Sequence, residues 1–353
     1  MNHYHESSYH DVAPKLYHDL AMQGIPSTSR NGYVLRFQHP VTITVDRPWQ
    51  KVVTCPKRDA NPFFHLIEAM AMLNNFNDVE LLSALAANMK NFSDNGETYN
   101  AFYGTRLRNW HMHDDGHLPT DQLERVIAML KADPTTRHAV AQIWDVADNY
   151  KDTKDKACNL CLVFEVVNGK LNMTSYNRSN DAIWGGVTGA NIVHLPFFQE
   201  YVTCALGLKV GWWSHTAANL HVYTRNPKWE ALRDTIKHPS EALVKPAQYY
   251  EQAQPLVSQL FNQGQQSSFD AECRDLLNMM LSAIQTGNLS SMAGKVLSNP
   301  FLRDTVAQAF LAWFCHSRFK DSTTALDTAS HIACSDWRQA CTEWLTRRNH
   351  KSK

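Results

Sequence analysis

The sequence predicts an α+β fold: a mixed sheet packed with helices as far as about residue 228, followed by an all-helical C-terminal extension over 229–353. Three observations point there. Up to about residue 225, strand-like runs are interspersed with runs of helical period, the pattern of a mixed α and β domain. Asn168-Gly169 sits between two strand-like runs, which is a strong short-range hairpin signal. Beyond residue 228 every periodic segment has helical spacing, and turn-forming clusters separate one from the next.

Taken in order, residues 1 to about 30 are polar and turn-rich and suggest no regular element. YVLRF (33–37) and VTITV (41–45), separated by His39 and Pro40, read as two short strands that begin a sheet. Asn61 followed by Pro62 is an N-cap and first-turn pair. Phe63, Leu66, Ile67, Met70 and Leu73 then recur at helical spacing, so FFHLIEAMAML is a buried helix. DQLERVIAMLKADP (121–134) is an amphipathic helix stopped by Pro134, and HAVAQIW and LCLVFEVV follow as strands. A type I′ turn at Asn168-Gly169 sets the register: Val167 faces Lys170, and Cys158 faces Ser179 with Arg178 next to it, one residue off if a bulge intervenes. In the extension, KWEALRDTI, YYEQAQPLVSQLFNQ, FDAECRDLLNMMLSAIQ, MAGKVL, TVAQAFLAWFCHSRF and WRQACTEWLTRR read as helices, with NQGQQSS and QTGNLSS as loops. No repeat or low-complexity tract is evident.

Lys+Arg and Asp+Glu are 34 each, giving zero formal charge, and no block of five like charges occurs. Nothing in that balance favours nucleic acid or an anionic membrane as a partner. The 8 cysteines are too sparse for a disulfide scaffold in 353 residues, so reduced thiols are expected. The 17 histidines scatter rather than forming a metal-like tract, and no metal site is expected. The first residues lack the basic start and apolar stretch of a signal peptide, and no apolar run approaches the roughly 20 residues that span a bilayer. A soluble, cytoplasmic protein is the expectation.

Cys158 stands where a polar, charged loop (DNYKDTKDKA) enters a strand, which would leave it partly exposed. Arg178 and Ser179 lie opposite by the hairpin register, and a nearby cation lowers a thiol pKa towards the reactive thiolate. The bland alternative is a small strand residue beside a surface arginine. Cys158-Asn-Leu-Cys161 also has the C-x-x-C spacing of zinc and redox sites, but residues three apart on a strand point to opposite faces. A zinc nucleotide deaminase would want H-x-E upstream and proline before the first cysteine, where this chain has His65-Leu-Ile-Glu68 and Ala157. Glu68 shares an apolar helix with Phe64, Ile67, Ala71 and Met72, so it is either a desolvated carboxylate suited to acid/base work or a glutamate on the helix rim. Arg30, Arg137 and Arg178 each neighbour a Ser or Thr (Ser29, Thr136, Ser179), a pairing that suits phosphate oxygens, although most arginines are surface cations.

Together, the segment from Cys158 to Tyr223 resembles the catalytic half of the thymidylate synthase superfamily, in particular its phage-type pyrimidine nucleotide (dUMP/dCMP) hydroxymethylases. The carrying elements are ACN around Cys158, then NGKLNMTSYNRSND, IWGGVTGAN and NLHVYTRN. Upstream, SRNGYVLRF, the Glu68 helix, YNAFYGTRLRNW and LKADPTTRH look like the family's phosphate loop, catalytic-glutamate helix, tyrosine-glycine turn and partner-arginine segment. The resemblance covers about residues 28–228 and implies a thymidylate synthase-like catalytic domain over 1–228, with 229–353 as an appended helical unit.

The resemblance implies roles residue by residue. Cys158 would be the nucleophile, bonding to C6 of a pyrimidine nucleoside monophosphate, and 5,10-methylenetetrahydrofolate would donate the carbon to C5. Arg30, Arg178 and Ser179 would hold the phosphate, with Arg137 lent across a symmetric homodimer. Glu68 would organise water and proton transfers, and Tyr103 would support C5 proton removal. His221 and Tyr223 would bind the deoxyribose 3′-hydroxyl, Asn191 would face the pyrimidine edge, and Asp181, Trp184 and Gly185 would line the folate side. The chain departs from the family pattern at Ala157 and Asn159 around the nucleophile, at His138 after Arg137, and in two extra residues before Asn191. The small apolar C-terminus with which methyl-forming members close over the folate has no match in RRNHKSK. Hydroxymethylation, with water adding to the exocyclic methylene, is therefore the expected outcome, in a cytoplasm that would be that of a phage-infected bacterium. Methyl formation, as in thymidylate synthase or a dCMP methyltransferase, is the alternative.

Overall fold

In a computed structural model of the chain, residues 2–110, 120–236 and 259–349 are described. The described elements begin with β1 (Asn2–Glu6), α1 (Tyr9–Gln23), β2 (Ile25–Ser29), β3 (Gly32–Arg36) and β4 (Val41–Val45). Helices α2 (Pro62–Leu73), α3 (Val79–Leu85), α4 (Tyr103–Arg108) and α5 (Gln122–Ala132) follow. Strands β5 (Val140–Gln142), β6 (Asn159–Val167), β7 (Lys170–Asn177) and β8 (Asn180–Asp181) lead to α6 (Asn191–Leu206), β9 (Lys209–Ala217) and β10 (Leu220–Tyr223). The chain then becomes helical, with α7 (Pro227–Ile236), α8 (Gln266–Thr286), α9 (Gln308–Phe314), α10 (Ser322–Ser330) and α11 (Ser335–Asn349).

Two mixed sheets organise the molecule. The larger runs β1-β4-β9-β7-β6-β5 and the smaller β2-β3-β10-β8. Only Arg178 and Ser179 separate β7 of the first from β8 of the second, and only Ala218 and Asn219 separate β9 from β10. The chain thus crosses between the sheets twice in one place, and the backbone locks the crossing: the Ala218 N–H donates to Asn177 O at 2.9 Å and the Asn180 N–H to Asn219 O at 2.8 Å.

Helix α2 forms as its sequence suggests. The Asn61 side chain accepts from the Phe64 N–H at the N-cap, and Pro62 occupies the first turn, where its missing N–H costs nothing. Every residue of α2 is buried, as befits a helix that is apolar all round and packed by α6 on one side and by α8, α9 and α11 on others. One apolar cluster runs from Tyr9 to Leu345, so the C-terminal helices close the same core as the sheets. Phe63 of α2, for instance, meets Trp344 of α11 edge to face at 5.4 Å.

Several expectations need correction. Residues 2–29 are largely regular, forming β1, α1 and β2, and the helix among them is started by a reciprocal capping box between Ser8 and Asp11. Val12, Ala13, Leu16, Tyr17 and Leu20 carry its buried face, a periodicity masked by polar neighbours and by Pro14 inside the helix. MAGKVL is not an α-helix: Gly294 takes φ 78°, which breaks the helical run, and Val296 is 89% exposed while Leu297 alone is buried in the core. The segment 322–330 is a helix that sequence reading passed over, N-capped by Asp321 onto Thr324. Of YYEQAQPLVSQLFNQ, residues before 259 lie outside those described and 259–263 are not helical; the chain end past 349 also lies outside them.

The hairpin is built as expected near its turn, with Val167 opposite Lys170 and Cys161 opposite Tyr176. Between Asn159 and Cys161 the register slips by one residue. Cys158 therefore faces Arg178 rather than Ser179, and the Arg178 N–H donates to Cys158 O at 3.0 Å.

Candidate active site

The site forms where the two sheets exchange strands. Cys158 sits at the entry to β6, half-buried, and Arg178 stands at the exit of β7 directly across. The Arg178 guanidinium donates to Ala157 O at 2.8 Å and Lys156 O at 3.0 Å, which aims it at the thiol: its Nη2 lies 3.8 Å from Cys158 Sγ. Arg30, in the tight turn between β2 and β3, reaches the same segment, its Nη2 3.5 Å from Lys154 O. Both guanidinia are exposed, so Cys158 lies behind a cationic rim whose donors are free on their solvent side to meet an anion.

The thiol is not activated in the way its neighbours suggest. Burial pushes the Cys158 thiol above its ordinary 9.0, with Asp155 and Asp181 adding to the rise, and the charges of Arg178 and Arg30 only partly oppose it. The expectation of a lowered thiol pKa is corrected: desolvation outweighs the guanidinium.

Behind Cys158 lies a run of buried polar groups. The Asn159 N–H donates to the Tyr103 hydroxyl at 3.4 Å, the first residue of α4. Burial and the nearby Cys158 hold the Tyr103 phenol above its ordinary range, so it stays protonated at neutral pH. The Tyr103 ring meets His194 of α6 edge on at 5.4 Å, and His194 Nδ1 lies 3.6 Å from Glu68 Oε2 on α2. Glu68 is thus sealed inside the molecule, not on a solvated helix rim. Asn159 and its cross-strand partner Asn177 are buried with neither amide atom hydrogen-bonded.

Asp181, whose charge acts on Cys158, begins the tight turn Ala182–Gly186. Asp181 Oδ1 caps it by accepting from the Ile183 and Trp184 N–H groups at 2.7 and 3.1 Å, while its Oδ2 is buried without a partner. Desolvation raises the Asp181 pKa and lowers that of neighbouring His221. Gly185 and Gly186 pack onto the Asn180 side chain; a Cβ on Gly186 would meet Asn180 Nδ2 at 2.7 Å and one on Gly185 would strike Asn180 Oδ1. Asn180 is itself fixed by His215, whose Nε2 lies 2.8 Å from Asn180 Nδ2. Trp184 is left half exposed, with the Arg58 guanidinium 4.3 Å from its ring centroid. His221 and Tyr223, two apart on β10, stack edge to face at 5.3 Å, and the Asn31 amide lies 3.5 Å from the Tyr223 hydroxyl.

The sequence candidates are therefore brought together in two groups, Cys158, Arg30 and Arg178 with Tyr103 and Glu68 behind them, and Asp181, Trp184, Gly185 and His221 around the tight turn. Ser179 is half-buried beside Arg178, and Asn191 is buried at the start of α6 near Gly185. Arg137 is exposed in the turn between α5 and β5 and shares no hydrogen bond or ion pair with the others among the described residues. Sequence reasoning missed Arg58 and Asn177 altogether. Arg58 sits in KRDAN, which reads as a solvated charge run, whereas its guanidinium is buried and donates to Ile183 O at 3.0 Å. Asn177 had a usable signal, since it continues the inward-facing Met173 and Ser175 at strand spacing.

A sequence model of the thymidylate synthase family matches residues 28–261. Among known proteins, the deoxyuridylate hydroxymethyltransferase of Pseudomonas phage M6 is 34% identical over 341 residues, which is 95% of this chain and 91% of that protein. The deoxyuridylate hydroxymethyltransferase of Bacillus phage SP01 is 42% identical over 189 residues, 52% of this chain and 49% of that one. The thymidylate synthase of Oenococcus oeni is 30% identical over 153 residues, 43% of this chain and 46% of that one.

Proposed function

This chain belongs to the thymidylate synthase family, and from that premise we propose that it transfers a one-carbon unit to C5 of deoxyuridylate and releases the 5-hydroxymethyl nucleotide. The observation that carries the reading is the half-buried Cys158 with Arg178 Nη2 3.8 Å away. A nucleophile is thereby set beside cations able to take a phosphate. The likeness to a deoxyuridylate hydroxymethyltransferase along 95% of the chain supports the choice of base and product.

Arg30, Arg178 and Ser179 bind the phosphate, joined in a symmetric homodimer by Arg137 of the partner subunit. His221 and Tyr223 take the ribose hydroxyl, and Asn191 takes the pyrimidine edge, accepting from N3–H and donating to O4. The Cys158 thiolate adds to C6, which makes C5 enolate-like and able to attack an electrophilic carbon. 5,10-Methylenetetrahydrofolate, when bound, supplies that carbon. The residues present fit it: Trp184 offers a half-exposed aromatic face, and the buried Asp181 Oδ2 is an acceptor without a partner. Tyr103, kept as a neutral phenol, guides removal of the C5 proton as a hydrogen-bonding group rather than as an anion. Glu68 handles the protons of the last step, in which water adds to the exocyclic methylene carbon. Asn159 supports that outcome, because a buried amide with both atoms unpartnered favours water over a dry surface.

Incubating the protein with dUMP, dCMP or CMP and methylenetetrahydrofolate, and reading products by mass, tests this. The expected product is dUMP carrying an added CH2O, with tetrahydrofolate released. A nucleotide carrying only CH2, with stoichiometric dihydrofolate, would make the protein a methyltransferase instead.

A further inference from the structure

His194 stands in the first turn of α6 and is only 3% exposed, yet neither ring nitrogen has a hydrogen-bond partner. Its Nδ1 is 3.6 Å from Glu68 Oε2, an oxygen that is likewise buried and unpartnered. Its ring leans on Tyr103, whose hydroxyl accepts from the residue after Cys158. A buried donor or acceptor left unsatisfied is costly, so a cluster of them marks a place built for a bound water or ligand. Since Nδ1 faces the carboxylate, Nε2 is the nitrogen available to such a guest.

We propose that His194 is a positioning residue that, together with Glu68, holds the water that completes hydroxymethylation. The inference rests on the function argued above. The water oxygen bonds to the exocyclic methylene carbon of the nucleotide while one water proton passes to the Glu68 carboxylate. The electron pair of the exocyclic double bond moves into the ring; its return forms C5=C6 and expels the Cys158 sulfur from C6 as thiolate. His194 acts by fixing the water and the carboxylate in line with that carbon. Loss of the C5 proton precedes this step and does not need it.

The test separates the two stages in full-length wild-type, His194→Gln and His194→Ala proteins, using deoxyuridylate tritiated at C5 and methylenetetrahydrofolate. Tritium release reports loss of the C5 proton, and mass analysis reports the hydroxymethyl product. Adduct formation with 5-fluoro-deoxyuridylate checks that each variant is folded and binds. In a single turnover, with enzyme in excess over nucleotide, the variants are expected to release tritium near the wild-type rate while product forms about 10²-fold more slowly, the usual effect of a placed proton-transfer group. The stalled methylene should be captured by an added small thiol. Tritium release and product falling in the same proportion, product unchanged, or loss of the fluoro-nucleotide adduct in both variants would each assign His194 a structural role and overturn the inference. A wild-type protein that releases no tritium would instead overturn the functional reading beneath it.

Discussion

Cys158 carries two opposed influences, and their balance is measurable. Burial raises its pKa above 9.0 and the Arg178 and Arg30 charges lower it, with burial the larger. The rate of alkylation of Cys158 should therefore rise through a midpoint above 9.0. Because Arg178 stabilises the thiolate, Arg178→Ala should move the midpoint higher still. A midpoint below 9.0, or a downward move in the variant, would contradict this balance. The same residue marks how far single positions can be read from sequence. The Asn168-Gly169 turn was legible, and with it the approach of Arg178 to Cys158. The slip at Asn159/Cys161 was not, because a bulge depends on strand packing rather than on local composition. Nor was the dominance of desolvation, since burial is a property of the whole fold.

Elements with strong local codes were readable in advance. Helix α2 has its cap, its proline and its apolar period, and the β6-β7 hairpin has its turn. Helix α1 was not readable, though it buttresses the Ala182–Gly186 turn proposed to line the folate: the Tyr17 hydroxyl donates to Ala182 O at 3.0 Å and meets the Thr188 hydroxyl at 2.6 Å. Tyr17→Phe removes both contacts while keeping the ring. It should cost about 1 kcal/mol at the turn and raise the KM for the folate about fivefold, with the KM for nucleotide nearly unchanged. Steady-state kinetics with each substrate varied in turn checks this. Equal change in both constants would mean that α1 supports the site only through global stability.

At the scale of the whole molecule, burial sets the response to acid. His10, His65 and His215 are buried and hold pKa values of about 4, 3 and 4, below the ordinary 6.5, chiefly through desolvation. The sign follows from linkage. Below pH 6.5 these groups take up protons in the unfolded chain but not in the fold, so stability falls as pH drops, by up to about 1.4 kcal/mol per unit for each. Buried Glu200 and Asp181, whose pKa values burial raises, act the other way once pH reaches the carboxylate range. Denaturant midpoints should thus fall between pH 6.5 and the carboxylate range and then flatten; midpoints level across that interval would contradict the assignment. The proposed homodimer has its own check. Arg137→Ala and Cys158→Ala proteins, each inactive, should regain activity after subunit exchange, since one site of the mixed dimer keeps both residues, and no recovery after verified exchange would refute shared sites.

The central claim is a covalent bond between Cys158 and C6 of the pyrimidine, and trapping it is the most direct test. With 5-fluoro-deoxyuridylate and methylenetetrahydrofolate the C5 substituent cannot leave as a proton, so the complex should stall with nucleotide and folate both attached. Intact-mass measurement of the wild-type protein should show that stable adduct, with peptide mapping placing it on Cys158, and Cys158→Ala should show none while still binding nucleotide. An unmodified wild-type mass under saturating ligands, or an adduct on any other residue, would contradict the account.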